Sequence, residues 1–281
     1  MSLPSILIIG SMKAGTTSLY MDLAQHPAVF FQADKEPHSL CSDDVLTPAG
    51  LEQYAALYAK AEPGQRSCDA STGYTKLPDF PGVPARATQV LPADFQAIYL
   101  VRHPIDRIVS QHHHEFFAGE AGPSIDDEIR TQPRYIQYSR YYEQLAPWVD
   151  AIGKDRILVV RFEDYVERRP EAMERICQFL GLDAAEFVDR EAVAYNKSQG
   201  KPVLSSVWRQ ARESGFYRKI VRPLMPAGMR QAVRGLLLPK AKQELPKLSA
   251  EGREYLRREL KGDVEALSRY LNLNEPLWEG F

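Results

Sequence analysis

The sequence predicts an α/β fold in three layers, a parallel sheet with helices on both faces, followed by a helical C-terminal part. Four short runs of aliphatic and β-branched residues are continuously apolar, which is typical of strands buried on both faces. Segments with helical periodicity lie between these runs, and strands that alternate with helices indicate a parallel sheet. From residue 202 onward only helical and irregular patterns remain.

The predicted strands are Ile6–Ile9, Val29–Phe31, Ala97–Val101 and Ile157–Val160. A first helix runs from Thr16 to about Gln25. Three further helices are indicated by apolar residues at helical spacing, the second ended by a glycine and the third begun by a serine cap. Their apolar faces are Tyr142, Leu145, Ala146 and Val149; Met173, Ile176, Cys177 and Leu180 before Gly181; and Leu256, Leu260, Val264, Leu267 and Leu271 after Ser249.

Composition limits the class of protein. A chain of 281 residues, 44% hydrophobic and 26% charged, predicts one globular domain, with an α/β core over residues 5–200 and a helical extension over 201–281. A net charge of −2 argues against a general nucleic-acid binder. Three widely spaced cysteines fit no zinc pattern, and neither a secretory signal nor a membrane-spanning run is visible. A cytoplasmic location with reduced thiols is expected.

A glycine loop, GSMKAGTT, follows the first strand at residues 10–17. Glycines at Gly-x4-Gly spacing before a helix aim backbone N–H groups and the positive end of the helix dipole at an anion. A nucleotide-binding P-loop would continue with Gly-Lys-Ser/Thr, whereas here Thr16 follows Gly15 and Lys13 lies inside the loop. The pattern predicts a P-loop NTPase-like fold with an anion site formed by Lys13, Ala14, Gly15, Thr16, Thr17 and Ser18.

A second motif, RHPIDRIVS at residues 102–110, places Arg102 directly after the strand AIYLV. P-loop ATPases use an Asp at the end of another strand to help hold Mg²⁺. A cation in that place favours direct binding of phosphate. Arginine supplies a planar fork for phosphate, and Ser110, about two helical turns along, supplies a hydroxyl. Arg102 and Ser110 form a second predicted phosphate site, and no metal site is expected.

Taken together, the two motifs resemble the cytosolic-type sulfotransferase superfamily. The resemblance continues in residues 161–183, with a Glu-Asp strand end and a Phe-Leu-Gly-Leu stop, and in residues 248–278, similar to the C-terminal helix of bacterial members. It implies that the first loop binds the 5′-phosphosulfate of PAPS (3′-phosphoadenosine 5′-phosphosulfate) and that Arg102 and Ser110 bind the 3′-phosphate. PAP is then the product, and a donor without a triphosphate requires no metal. Residues 195–206 resemble the loop that closes over the nucleotide, which adds Lys201.

The segment KEPHSL at residues 35–40 resembles the Lys-Glu-x-His-Phe-Phe segment of the heparan-type and related bacterial branch. In that branch the glutamate is the catalytic base, so the resemblance implies this role for Glu36. His38 can orient the acceptor, assist Glu36 or replace it. Lys13 is placed to meet the negative charge that develops on the departing 5′-phosphate oxygen.

Two segments depart from the pattern of that branch. Ser39 and Leu40 replace the aromatic pair, and CDASTGY at residues 68–74 has Ala70 and Thr72 where the branch often has a lysine and a proline. A second catalytic lysine is therefore not supplied at position 70. Tyr74 of the same segment is expected by resemblance to line the acceptor site.

The acceptor stays open between a carbohydrate, a glycolipid and a small metabolite, and between a hydroxyl and an amine. A P-loop kinase or NTPase and a non-catalytic nucleotide-binding relative are the alternatives from other classes. The run HHH at 112–114 is not expected to chelate an ion, because consecutive helical residues point about 100° apart. His114 is assigned mainly to the helix surface, with contact to the acceptor as the alternative.

The segment 197–247 is rich in Lys and Arg and contains only Glu213 and Glu244 as acids. One interpretation is a helix packed on the domain with solvated basic residues. The other is a surface for an anionic glycan or a lipid-linked acceptor, which adds peripheral membrane contact. The sequence does not decide between them.

Overall fold

The computed structural model describes residues 2–32, 35–187 and 245–281. Within them, five parallel strands form one sheet in the order β2-β3-β1-β4-β5. The α/β prediction with a parallel sheet is confirmed. The strands are β1 (Ile6–Gly10), β2 (Val29–Phe31), β3 (Arg66–Ala70), β4 (Gln96–Val101) and β5 (Ile157–Arg161).

Strand β3 is the one that the apolar pattern does not predict. Its sequence, RSCDA, contains polar residues, yet the last four residues are buried because the strand lies between β2 and β1. The Asp69 carboxylate is buried there with hydroxyl partners, described below. Burial without hydrophobicity is possible where each polar group finds a partner, and sequence periodicity does not detect this case.

Ten helices are described in this part of the chain, and short 3-10 turns lie among them. The first helix ends at Leu23, close to its predicted end. The helices are α1 (Thr16–Leu23), α2 (Pro48–Ala56), α3 (Val83–Val90), α4 (Pro104–Ala118), α5 (Ile125–Thr131), α6 (Arg134–Gln137), α7 (Tyr141–Ile152), α8 (Phe162–Glu167), α9 (Arg169–Leu180) and α10 (Ala250–Tyr270).

Helices cover both faces of the sheet, as predicted. Leu7 and Ile9 of β1 belong to a core cluster that includes residues of α3, α7 and α10. Ile6 and Ile8, which alternate with them, belong to a second cluster with α1 and α9. Successive side chains of a strand point to opposite faces, so one fully apolar strand supplies both layers.

The helical faces agree with the sequence pattern in two of three cases. The α9 face, with Cys177, is buried and ends at Gly181 in a left-handed conformation. The Ser249 hydroxyl caps α10, and its predicted face is buried up to Leu267. In α7 the prediction was partly wrong. Its fully buried residues, besides the predicted Leu145, are Tyr141, Gln144, Trp148 and Ile152, whereas Tyr142, Ala146 and Val149 are half-buried.

The C-terminal helix α10 packs on the same core as the sheet. Val264 and Leu267 share a cluster with Trp148 of α7, and Leu256 and Leu260 pack with α4, α5 and α6. The predicted boundary between residues 200 and 201 lies outside the described residues. Among the helices that the structure describes, none is long and apolar enough to cross a membrane.

Candidate active site

The glycine loop connects the carboxyl end of β1 to α1. Gly15 precedes the helix with φ +90°, and no side chain caps the first turn. The first N–H groups of a helix lack partners one turn earlier, so the start of α1 suits an anion, although the N–H of Ser18 already donates to the Gly15 carbonyl at 2.9 Å. A Cβ at Gly15 would lie 2.7 Å from the Phe162 ring, which explains the need for glycine at this position. The predicted glycine turn is present in the structure, and its binding of an anion stays a prediction.

Arg102 follows β4 and lies beside this loop. Its Nη1 donates to the Lys13 carbonyl at 3.4 Å, and its guanidinium lies 4.9 Å from the centre of the Phe162 ring. The Tyr141 hydroxyl donates to the Arg102 carbonyl at 2.7 Å, and Glu163 accepts from the next backbone N–H, that of His103, at 2.8 Å. The peptide that follows this arginine is therefore fixed, and its side chain lies at the glycine loop.

Glu36 lies beyond the end of β2, at the same edge of the sheet. Its backbone N–H donates to the Ala70 carbonyl at 3.2 Å, which holds this segment against the end of β3. The carboxylate has three partners. Lys35 Nζ donates to Oε1 at 2.9 Å, Thr72 Oγ1 donates to Oε2 at 3.0 Å, and His38 Nε2 lies 3.3 Å from Oε2.

These partners determine the charge state of Glu36. Burial alone would raise the pKa of this carboxyl. Hydrogen bonds from His38, Lys35 and Thr72, together with the positive charge of Lys35, instead lower the pKa to about 2. Glu36 is therefore ionised throughout the neutral pH range.

His38 is held from three sides. Its backbone N–H donates to Ser71 Oγ at 3.3 Å, its ring stacks on Phe80, and its Nδ1 lies 3.7 Å from Cys41 Sγ. With Nε2 directed at Glu36, the two residues that the sequence offers as the base form one contacting pair. The structure brings the two candidates together.

Backbone strain is concentrated in the predicted site. Four non-glycine residues have positive φ in the described part of the chain: Lys13 at 69°, Glu36 at 63°, His38 at 56° and Asn272 at 58°. The first three are the three predicted catalytic residues. Such conformations are unfavourable for these residue types and persist only where the surrounding structure imposes them, commonly at functional sites.

Sequence reasoning did not identify Asp69 as part of the site. Its buried carboxylate accepts from the hydroxyls of Tyr54 at 2.8 Å, Tyr74 at 2.6 Å and Ser71 at 2.8 Å. Burial raises its pKa, and these hydrogen bonds oppose that effect. Because Ser71 also accepts from the N–H of His38, Asp69 supports the His38 segment indirectly. The sequence offered no signal for this role beyond the charge of Asp69 within CDASTGY at residues 68–74.

Tyr74 is buried, its hydroxyl donates to Asp69, and the residue lines a cavity between α3 and α7. Its contact with the acceptor stays a prediction. Lys35 and Thr72 were also missed as partners of Glu36. The chain positions of Lys35 and Thr72 did not reveal which way their side chains point.

Other predicted residues are dispersed. Ser110 is half-buried on α4, two turns after Arg102, and Lys201 lies outside the described residues. The three histidines of α4 diverge as expected: His112 is buried, His113 contacts the Pro246 carbonyl at 2.8 Å, and His114 is exposed. The described ranges contain no group of three or more His, Cys, Asp or Glu side chains that could hold a metal ion.

Replacing Gly15 tests the close packing of the glycine loop. Gly15→Ala is expected to lower the free energy of unfolding by about 1–2 kcal/mol for a positive φ and by a further 1–3 kcal/mol or so for overlap with Phe162. Gly64→Ala is the matched control, because Gly64 has φ +92° and open space around a Cβ. Urea unfolding measures both. Equal losses in the two variants would contradict the Phe162 contact, and Gly15→Ala/Phe162→Ala should recover part of the difference.

Sulfotransferases are among the known proteins that this chain resembles. The chain is 27% identical over 211 residues to mouse heparan sulfate glucosamine 3-O-sulfotransferase 3B1, covering 72% of this chain and 52% of that protein. It is 24% identical over 246 residues to mouse carbohydrate sulfotransferase 15, covering 64% and 44%. The chain therefore spans about half the length of the curated relatives it matches.

Among solved structures, a sulfotransferase from Alicyclobacillus acidocaldarius has the same fold, with a TM-score of 0.68 and 19% identity over 98% of both chains. The family model described as the sulfotransferase domain matches residues 3–224. The chain belongs to the sulfotransferase domain family.

Proposed function

We propose that this protein transfers a sulfuryl group from PAPS to an acceptor hydroxyl or amine, giving PAP and the sulfated product. One observation carries the proposal. A continuous series of contacts joins Arg102 to the Lys13 loop, Thr16 to Lys35, and Lys35 to the Glu36–His38 pair. These contacts bring Arg102, the start of α1 and the Glu36 carboxylate to one edge of the sheet, where α/β proteins build their sites. This supports the roles of phosphate binding for the first two and of the base for the third.

The residues fit a donor that carries phosphates on both the 3′ and the 5′ oxygen of its ribose. The uncapped first turn of α1 suits the 5′-phosphosulfate, with Lys13, Thr16, Thr17 and Ser18 beside it. Arg102, on the neighbouring strand end, together with Ser110 suits the 3′-phosphate. Lys201 is proposed as a further contact from the segment outside the described residues.

Bound PAPS supplies an activated sulfuryl group attached to its 5′-phosphate. The Glu36–His38 pair takes the acceptor proton as the acceptor oxygen or nitrogen forms its bond to sulfur. Lys13 meets the electron pair that stays on the 5′-phosphate oxygen when the sulfur–oxygen bond breaks, and one such electrostatic contact contributes on the order of 3–4 kcal/mol. In this proposal the Glu36–His38 pair accepts a proton on one side of the sulfur, and Lys13 stabilises a negative charge on the other.

We infer that the acceptor is a carbohydrate or glycolipid, with a small metabolite as the alternative. Two curated relatives, by name, act on heparan sulfate glucosamine and on carbohydrate. A cytoplasmic location, with peripheral membrane contact through the basic segment 197–247, belongs to the same proposal. That segment lies mostly outside the described residues.

Metal independence follows from the chemistry of the donor, since a sulfonate next to one phosphate offers no triphosphate for Mg²⁺. Purified protein is expected to transfer label from PAPS equally well in EDTA and in Mg²⁺. Thermal shifts should be larger with PAP alone than with MgATP. A strict Mg²⁺ requirement, or a larger response to MgATP, would instead support the kinase alternative.

Arg102 is expected to recognise the 3′-phosphate. Arg102→Ala should weaken PAP binding by roughly 2–5 kcal/mol and should abolish the preference for PAP over AMP, which lacks that phosphate. Isothermal titration with both nucleotides measures the effect. Arg258→Ala, at an exposed position on α10, is the control. Unchanged PAP affinity in Arg102→Ala would assign the 3′-phosphate to another group.

The base is tested by two conservative changes. Glu36→Gln keeps the shape of the side chain and removes its basicity, so turnover on a hydroxyl acceptor should fall about 10²–10⁴-fold with PAP affinity nearly unchanged. His38→Asn is made in parallel. Near-normal turnover in Glu36→Gln beside a collapse in His38→Asn would transfer the role of the base to His38.

A further inference from the structure

The Lys35 side chain lies between the glycine loop and Glu36, the proposed base. Its ammonium donates to Glu36 Oε1 at 2.9 Å and to Thr16 Oγ1 at 3.5 Å. Thr16 is the first residue of α1, whose N-terminal N–H groups form the proposed phosphosulfate site. One cation therefore reaches both halves of the site.

The two contacts of Lys35 are unequal. The Glu36 contact is a short ion pair, whereas the Thr16 contact is a long bond to a neutral hydroxyl. The Lys35 side chain is 22% exposed. A lysine ammonium has three donors on a flexible four-carbon stem, so it can change acceptors without backbone movement. A negatively charged group seated at the start of α1 would compete with Glu36 for this ammonium.

We propose that Lys35 is a catalytic cation that contacts the sulfonate of the bound donor and gives up part of its ion pair with Glu36 in doing so. The proposal rests on the proposed function, because it requires a sulfonate at the α1 loop. Lys13 and Lys35 then have separate tasks. Lys13 meets the charge on the departing phosphate oxygen, and Lys35 holds the sulfonate oxygens while sulfur passes to the acceptor.

Strand β3 offers no cationic side chain for this task at its carboxyl end. Residue 70, whose carbonyl accepts from the N–H of Glu36, is a buried alanine. The lysine that contacts the base comes from the Glu36 segment itself. This arrangement makes the donor-binding cation and the base consecutive residues, so the position of one side chain controls the surroundings of the other.

Lys35 also affects the strength of the base. Four side chains act on Glu36: Lys35, His38 and Thr72 by direct contact, and Lys76 through its charge. A carboxylate whose pKa is about 2 is ionised but holds a proton weakly. When Lys35 is shared with a sulfonate, Glu36 loses part of one donor and its pKa rises. The base is then strengthened only when the donor is in place.

Nucleotide affinities test this inference without relying on turnover. PAPS carries the sulfonate and PAP does not, so the ratio of their affinities reports the contact. Lys35→Met is expected to lower the preference for PAPS over PAP about tenfold, with PAP affinity almost unchanged. Glu36→Gln frees Lys35 from its ion pair and should raise that preference. Lys35→Met/Glu36→Gln should match Lys35→Met, because the two changes act through one contact.

Lys76→Met is the matched control, because it removes another positive charge that acts on Glu36 while its ammonium lies over the Tyr138 ring at 5.8 Å. It should leave the ratio of affinities unchanged. Lys35→Arg should restore much of the preference, and thermal melting verifies that each variant is folded. Equal losses for PAPS and PAP, or no loss, in Lys35→Met would overturn the sulfonate contact. An unchanged ratio in Glu36→Gln would overturn the exchange with Glu36. Wild-type protein that binds neither nucleotide would instead overturn the proposed function.

Discussion

The Asp69 carboxylate accepts hydrogen bonds from three hydroxyls in the interior, and the geometry around the Glu36–His38 pair depends on it. Tyr54 brings α2 to this carboxylate, while Ser71 and Tyr74 bring the turn that follows β3. Ser71 then accepts from the backbone N–H of His38. An unpaired buried carboxylate would be strongly destabilising, so the turn and the His38 segment adopt the arrangement that satisfies it.

The glycine loop and Arg102 are fixed by a different kind of interaction, close packing around Phe162. Its ring lies 4.9 Å from the guanidinium of Arg102 and also leaves no space for a side chain at Gly15. The glycine loop and the arginine motif are therefore positioned by one aromatic residue from the start of α8. The left-handed conformations of Lys13, Glu36 and His38 are maintained between these two supports, which explains how strain is tolerated there.

The sequence predicted the features that follow from the order of strands and loops along the chain. Parallel strands place their carboxyl ends at one edge, so Gly15, Arg102 and Glu36 could be assigned to a common site before any contact was known. It did not predict β3, because a strand stabilised by hydroxyl partners of Asp69 lacks the apolar run that marks the other strands. Nor did it predict Lys35 and Thr72 as partners of Glu36, because side-chain direction in a turn depends on tertiary contacts. The α7 face was misjudged because Gln144, which binds the backbone of Leu77, is polar yet fully buried.

Lys35 and Glu36 are adjacent in the chain, and this adjacency affects how binding of the sulfuryl donor is coupled to the strength of the base. Two residues joined by one peptide bond, with the second in a left-handed conformation and its N–H held by Ala70, keep their backbones fixed relative to each other. Only the lysine stem is then free to move, and it moves between acceptors that it already reaches. Coupling of donor binding to base strength therefore needs no domain closure. It needs only that an anion, which is a stronger acceptor than the neutral Thr16 hydroxyl, occupy the start of α1.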